Sequence, residues 1–136
     1  MSAIFYPVFA LVALTFVVAM RMYLARVGAA RERRVHVKDF RLGESANVPP
    51  DVALPNRNFM NLFEMPVLFY VACIVFYVTG KVDGIALTLA WLYVALRIAH
   101  SVVHLTYNNV LHRLAAFGAS TFVLLALWGL LLLRIL

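Results

Sequence analysis

The stretch GIALTLAWLYVALRIAHSVVHLTY, residues 84–107, carries no charge from Gly84 to Leu96 and then meets Arg97, His100 and His104. A helix turns ~100° per residue, so these three side chains fall on one narrow face, which Tyr93, Tyr107 and Asn108 extend. A charge at bilayer depth costs on the order of 3 kcal/mol and normally faces protein or a water-filled cavity. The stripe therefore points into a polar chamber, and that chamber is where function is expected.

Outward from this stretch, three more apolar segments emerge: Met1–Met20, Met65–Gly80 (preceded by the more polar Asn58–Glu64) and Leu114–Leu133. A hydrocarbon core of ~30 Å needs ~20 helical residues, so each segment can cross once. The composition agrees, with 65% hydrophobic and only 13% charged residues, against roughly 25% charged in soluble domains. The expected fold class is all-α, an integral membrane four-helix bundle occupying 1–136 as one domain. Its helices are predicted at about 2–25, 57–80, 84–107 and 111–134, with a basic loop at 26–56. Met1–Met20 lacks a basic leading region and a small-residue cleavage site, so it reads as a mature helix rather than a signal peptide. Cys73 stands alone inside the second segment, which excludes an intramolecular disulfide and leaves packing as its role.

The net charge of +6 is unevenly placed. Arg21, Arg26, Arg31, Arg33, Arg34, Lys38, Arg41 and Arg57 cluster around the first connection, opposed there only by Glu32, Asp39, Glu44 and Asp51. A basic loop between two spans is what the positive-inside bias produces, so this loop is expected in the cytoplasm, against anionic headgroups, with both termini outside. No nucleic acid partner is expected from such a distribution. Pro49-Pro50 and Pro55-Asn56 carry turn chemistry, and the chain is expected to be irregular between Gly43 and Asn56.

This topology gathers the unusual polar residues in one half of the membrane. Arg57, Asn61 and Glu64 share an arc of ~60° at helical pitch where the second helix begins. Arg97, His100, His104 and Tyr107 lie where the third helix ends; His112 and Arg113 open the fourth, with Ser120 two turns further along the Arg113 face. Arg21 of the first helix reaches the same level. Pro66 removes one backbone donor and crowds the carbonyl of Leu62, so a kink is expected just after Glu64.

Asn61-Leu62-Phe63-Glu64-Met65-Pro66 entering an apolar helix, with Arg57 before it and Arg97, His100 and Arg113 after it, resembles the MAPEG family, the membrane-associated proteins of eicosanoid and glutathione metabolism. The likeness runs from about Arg57 to Ser120, and a bacterial-type member in an inner membrane fits best. The resemblance implies a homotrimer that binds glutathione between neighbouring subunits, as co-substrate, and a lipophilic substrate reached from the surrounding lipids. It implies that Arg57 holds a carboxylate, Asn61 the peptide backbone and Glu64 the amino group. Arg97, His100, His104 and Tyr107 would line the pocket, and Arg113 would hold the thiolate. Arg21 or Arg26 would supply an arginine from the first helix. His104 stands where better-known members carry a tyrosine, a departure that bears on substrate and reaction and not on fold.

The implied activity is a glutathione-dependent transferase or peroxidase acting on lipophilic electrophiles or lipid hydroperoxides. Two other readings stay open: a non-catalytic lipid-binding protein of the same fold, and a small transporter or channel. Individual residues have plainer readings too. Glu64 and Arg97 could form a structural ion pair, and Arg113 could be a snorkelling interfacial cation. His100 and His104 have the spacing of a helical metal pair, but no cysteine and only one carboxylate accompany them, so no metal is expected. Tyr23, Trp91 and Trp128 read as interfacial or packing aromatics.

Overall fold

The computed structural model describes residues 1–136 and contains five α-helices. A short 3₁₀ turn, Ser2–Ile4, leads into α1, Phe5–Arg31; α2 is Pro50–Asn61, α3 Met65–Val78, α4 Gly84–Leu105 and α5 Val110–Ile135. With α2 and α3 in series, four stretches are long and apolar enough to cross a membrane: Ser2–Arg31, Pro50–Val78, Gly84–Leu105 and Val110–Ile135. The expected all-helical architecture is present, and the differences are local.

The first difference lies in the loop. α1 runs to Arg31 rather than ending near residue 25, and α2 begins at Pro50 rather than at residue 57. Proline at the first position of a helix costs nothing, because that N–H has no intrahelical partner anyway. Pro50 therefore opens a helix instead of marking the irregular chain expected through Asn56. Burial supplies the rest: Val52 and Ala53 pack with Ala29, Val35 and Val48 in a small core of their own, against Phe40. Within the shortened loop, Val37–Phe40 form a 3₁₀ turn whose entry is fixed by the His36 N–H donating to Asp39 Oδ2 at 2.8 Å.

The second difference is the kink. The second span breaks outright at Leu62–Glu64, with Glu64 at φ −91°, ψ −99°. Pro66 has no N–H to offer the carbonyl of Leu62, so the ladder fails there, and α3 restarts with the proline in its first turn.

The other connections follow capping chemistry. At the end of α3 the Lys81 N–H reaches Phe76 O (3.0 Å) and the Gly80 N–H reaches Tyr77 O (3.1 Å). Gly80 sits at φ +65°, the left-handed position such a C-terminal motif requires. Asp83 then caps α4, accepting from the Ala86 N–H at 2.9 Å. Between α4 and α5, Asn108 takes φ +47° and Asn109 accepts from the Leu111 and His112 N–H groups. Asparagine tolerates both jobs, which is why two in a row make so tight a turn.

The main core runs along the bundle axis. Phe69 of α3 stacks on Tyr93 of α4 with ring centroids 4.7 Å apart. Ala72, Ala86 and Ala90 are fully buried and let the backbones approach, as small residues do at membrane helix contacts. Cys73 is buried in this core as a packing residue. Trp128 of α5 donates through Nε1 to Leu68 O at 3.2 Å, an inter-helix tie.

Candidate functional site

α4 presents its polar stripe inward. Arg97 has no exposed surface, His100 and His104 are each 2% exposed, and Tyr93 and Ser101 are buried beside them. One helical face thus collects five polar side chains in the interior, as the spacing predicts.

Arg97 is held by the helix break. Its Nη2 donates to the backbone carbonyl of Asn61 at 3.2 Å, and its Cζ lies 5.7 Å from the Phe117 ring centroid. A carbonyl at the last residue of a helix has lost its intrahelical partner and sits at the negative end of the helix dipole. The break at Leu62–Glu64 therefore opens the acceptor that Arg97 uses, which the Glu64 N–H shares at 3.4 Å. The guanidinium is otherwise under-satisfied: Nε and Nη1 are buried with no hydrogen-bond partner. No ion pair joins Arg97 to Glu64, which is exposed beyond the break. The shared arc of Arg57, Asn61 and Glu64 presupposed an unbroken helix, and α2 stops at Asn61.

The histidines are under-satisfied in the same way. His100 Nδ1 and both ring nitrogens of His104 are buried without partners, and the two rings meet edge to face at 5.7 Å. No third His, Cys, Asp or Glu joins them in ligating position. Beside them the Ser101 hydroxyl donates to Asn58 Oδ1 at 3.2 Å, while Asn58 Nδ2 is left over. Sequence reasoning passed over Asn58 and Ser101; Ser101 follows Arg97 by one helical turn, the signal that could have found the pair.

These side chains border a cleft of about 360 Å³ lined by Arg57, Asn61, His100, His104, Arg113 and Phe117, with Val110 and Leu114 at its edge. Arg113 is positioned by its neighbour, Nη1 donating to Asn108 Oδ1 at 2.8 Å. Five of the eight residues expected at the site line this cleft, and Arg97 stands behind it against Asn61 and Phe117. Two are elsewhere in the single chain. Glu64 lines neither this cleft nor the two cavities described below, and Tyr107 is 62% exposed past the end of α4, its hydroxyl 2.9 Å from His112 Nδ1. Of the two arginines considered from the first helix, Arg21 is exposed, and Arg26 is half-buried and lines a neighbouring cavity rather than this cleft. The cleft holds two arginines and no carboxylate. Such a wall favours an anion with planar oxygen groups, which arginine binds through paired donors.

A second, larger cavity of about 1010 Å³ lies between the end of α1, the loop and α2, and Arg57 belongs to both. A third, of about 330 Å³, is almost wholly apolar and opens between α1 and the α2–α3 break.

The model of the MAPEG family matches residues 4–133, nearly the whole chain. The chain belongs to the MAPEG family. No curated protein and no solved structure matches it. With its four long apolar stretches, this MAPEG protein is an integral, multi-pass membrane protein. The MAPEG family includes glutathione transferases and peroxidases among other members, and glutathione is the thiol its members commonly use.

Proposed function

We propose that this MAPEG protein is a glutathione-dependent membrane transferase or peroxidase acting on lipophilic electrophiles or lipid hydroperoxides. The observation that carries the reading is the cationic cleft: Arg57 and Arg113 on its wall, Arg97 buried behind with two donors unpartnered, and no carboxylate among them. Glutathione brings two carboxylates and a thiol. Arg57 takes a carboxylate, Asn61 the peptide backbone, and His100 and His104 border the chain between. A free thiol has a pKa near ~8.5 and ionises more readily beside a cation. Arg113, held by Asn108, supplies that cation.

The thiolate sulfur then forms a bond to the electrophilic carbon of a substrate arriving from the bilayer, and the displaced group leaves with its electron pair. With a hydroperoxide the sulfur attacks oxygen, the O–O bond breaks, and the alcohol departs. A second glutathione then reduces the sulfenic acid to disulfide and water. The protein contributes positioning and charge stabilisation, and the chemistry belongs to the thiol.

The reading includes a homotrimer in a bacterial inner membrane, with the segment between α1 and α2 in the cytoplasm. Arg33, Arg34, Lys38 and Arg41 in that segment favour the orientation. Exposed apolar side chains such as Phe16, Phe122 and Leu125 offer surface to lipids and to further copies.

A second reading, lipid binding without catalysis, is favoured by the apolar cavity, where Val12, Phe16, Phe59, Leu62, Phe63 and Tyr70 make a pocket without charge. Two measurements separate the readings. Glutathione titrated into detergent-purified protein binds saturably, and Arg57→Ala weakens binding about tenfold or more, the worth of a charge-assisted hydrogen bond. Conjugation of a chloronitrobenzene is lost in Arg113→Ala while binding persists. Folded protein that takes up no glutathione at millimolar concentration overturns the transferase reading; binding without any conjugate or peroxide turnover favours the second.

A further inference from the structure

The strap between α1 and α2, residues 32–49, carries an outer face that the cleft and the cavities leave unused. The chain reverses at Arg33, φ +58°, where the Arg33 and Arg34 N–H groups close on Ala30 O (3.1 Å) and Ala29 O (2.8 Å). Val35 and Val48 then pack with Ala29, Val52 and Ala53, which fixes both limbs of the strap against the end of α1 and the start of α2. Those helices belong to two membrane-crossing stretches, so the strap is held where the spans emerge and does not trail away from the bilayer.

The inner groups of the strap are satisfied. Asp39 is buried and accepts from the His36 N–H at 2.8 Å, Phe40 lies beneath the Arg26 guanidinium, and Glu44 engages Asn56 and Arg26. Glu32 and Asp51 both pair with Arg34, at 3.6 and 2.7 Å. Every carboxylate of this region is thus taken, and Arg33, Lys38 and Arg41 stand exposed with no acidic partner. Among them are two aliphatic side chains with almost no protein around them: Val37 is 92% exposed and Leu42 98%.

Unpaired cations interleaved with bare aliphatics make an interfacial membrane element. Each cation near an anionic bilayer contributes about fivefold in affinity, and apolar side chains beside it reach the boundary between headgroups and acyl chains. A nucleic acid would be met by exposed aromatic rings for its bases to stack on, whereas the one phenyl ring of the strap, Phe40, is turned toward Arg26.

We propose that the outer face of the strap, formed by Arg33, Val37, Lys38, Arg41 and Leu42, is a docking surface for anionic phospholipid. The cations meet the phosphodiester headgroup, and Val37 and Leu42 enter the acyl boundary beneath it. This surface lies outside the cleft, and its occupation does not depend on the glutathione reading.

The test uses the full-length protein in neutral detergent with an equimolar mixture of phosphatidylglycerol and phosphatidylcholine of one chain length. Native mass spectrometry counts the bound lipids and reads the oligomeric mass in the same spectrum. Phosphatidylglycerol is expected in about tenfold excess or more at low salt, and the excess shrinks in about 0.5 M salt, where screening is strong. Lys38→Gln combined with Arg41→Gln brings the ratio close to one, while Lys81→Gln, at the opposite end of the bundle, leaves it intact. Val37→Ser combined with Leu42→Ser weakens the tightest-bound lipid several-fold and keeps the oligomeric mass. These side chains touch little protein, so the variants fold. A lipid ratio unchanged in the Lys38, Arg41 variant overturns the proposal, as does lipid binding unchanged in the Val37, Leu42 variant. Loss of the oligomer in the Val37, Leu42 variant also overturns it and gives the surface to a second copy of the chain. Displacement of phosphatidylglycerol by equal concentrations of soluble glycerol phosphate overturns it too, leaving a site for a free anion.

Discussion

The two ends of the bundle treat their polar groups in opposite ways. At the end where α3 meets α4, Arg134 of α5 donates to the carbonyl of Lys81 and pairs with Asp83, which also caps α4. Arg134 and Asp83 satisfy each other, and the contact ties the last helix to the short connection. At the loop end, Arg97, His100 and His104 are buried with donors or acceptors unfilled, and half-buried Arg26 has an unpartnered Nε. A buried polar group without a partner costs the full loss of its hydration, about 1–3 kcal/mol and more for a charge. The far end has the chemistry of a clasp, and the loop end has the chemistry of a receptor.

The contrast is sharpest at Arg97. Arg97→Met keeps the volume and removes an under-satisfied buried charge, a change that often leaves stability unaltered or raised. The expected outcome is an unfolding midpoint at or above wild type, with glutathione binding weakened by about a hundredfold. Calorimetry and a thermal scan on the same preparation check both halves. A large drop in the midpoint would instead make Arg97 a structural residue and erase the contrast.

Asp83→Asn is expected to do the reverse, lowering the midpoint by a few degrees while leaving glutathione affinity untouched. The effect is pH-dependent with a definite sign. The hydrogen bond from Arg134, aided by the Ala86 N–H, holds the Asp83 carboxyl below its ordinary value of 3.8. A carboxyl depressed in the folded state contributes stability that is complete above its unfolded pKa and lost as pH falls through the folded one. Wild type and Asp83→Asn should therefore differ at neutral pH and converge in strong acid. Parallel midpoint curves across that range would remove the clasp from the account.

The smallest effect belongs to Tyr107. It is exposed and engaged with His112 outside the cleft, so Tyr107→Phe is expected to change binding and turnover by less than about twofold. A tenfold loss would bring Tyr107 into the site through a neighbouring subunit and redraw the boundary of the loop end.

Much of this was legible in the chain. Four apolar segments of membrane-crossing length required four spans, because backbone groups in lipid must bond within their own helix. The stripe of Arg97, His100 and His104 was visible because helical pitch is the same in any helix, and the structure buries all three. Pro66 announced the kink. The loop was harder to read: Pro50 and Pro55 resemble turn residues in isolation, and only contact with Ala29 and Val35 makes Val52 and Ala53 part of a helix worth forming. The shared arc of Arg57 and Glu64 failed for a related reason, since it presupposed a pitch that the break destroys.

The sequence by itself determined the number of spans, the face that α4 turns inward and the family, all of which depend on local spacing and hydropathy. The tertiary structure decided which polar residues share a cavity. Glu44 meets Arg26 and Asn56 because a small core pins the loop across the end of α1, and Arg97 finds Asn61 O because the helix breaks just past that carbonyl. Such contacts join residues far apart in the chain, so they are set by the closure of the fold and not by any period in the sequence.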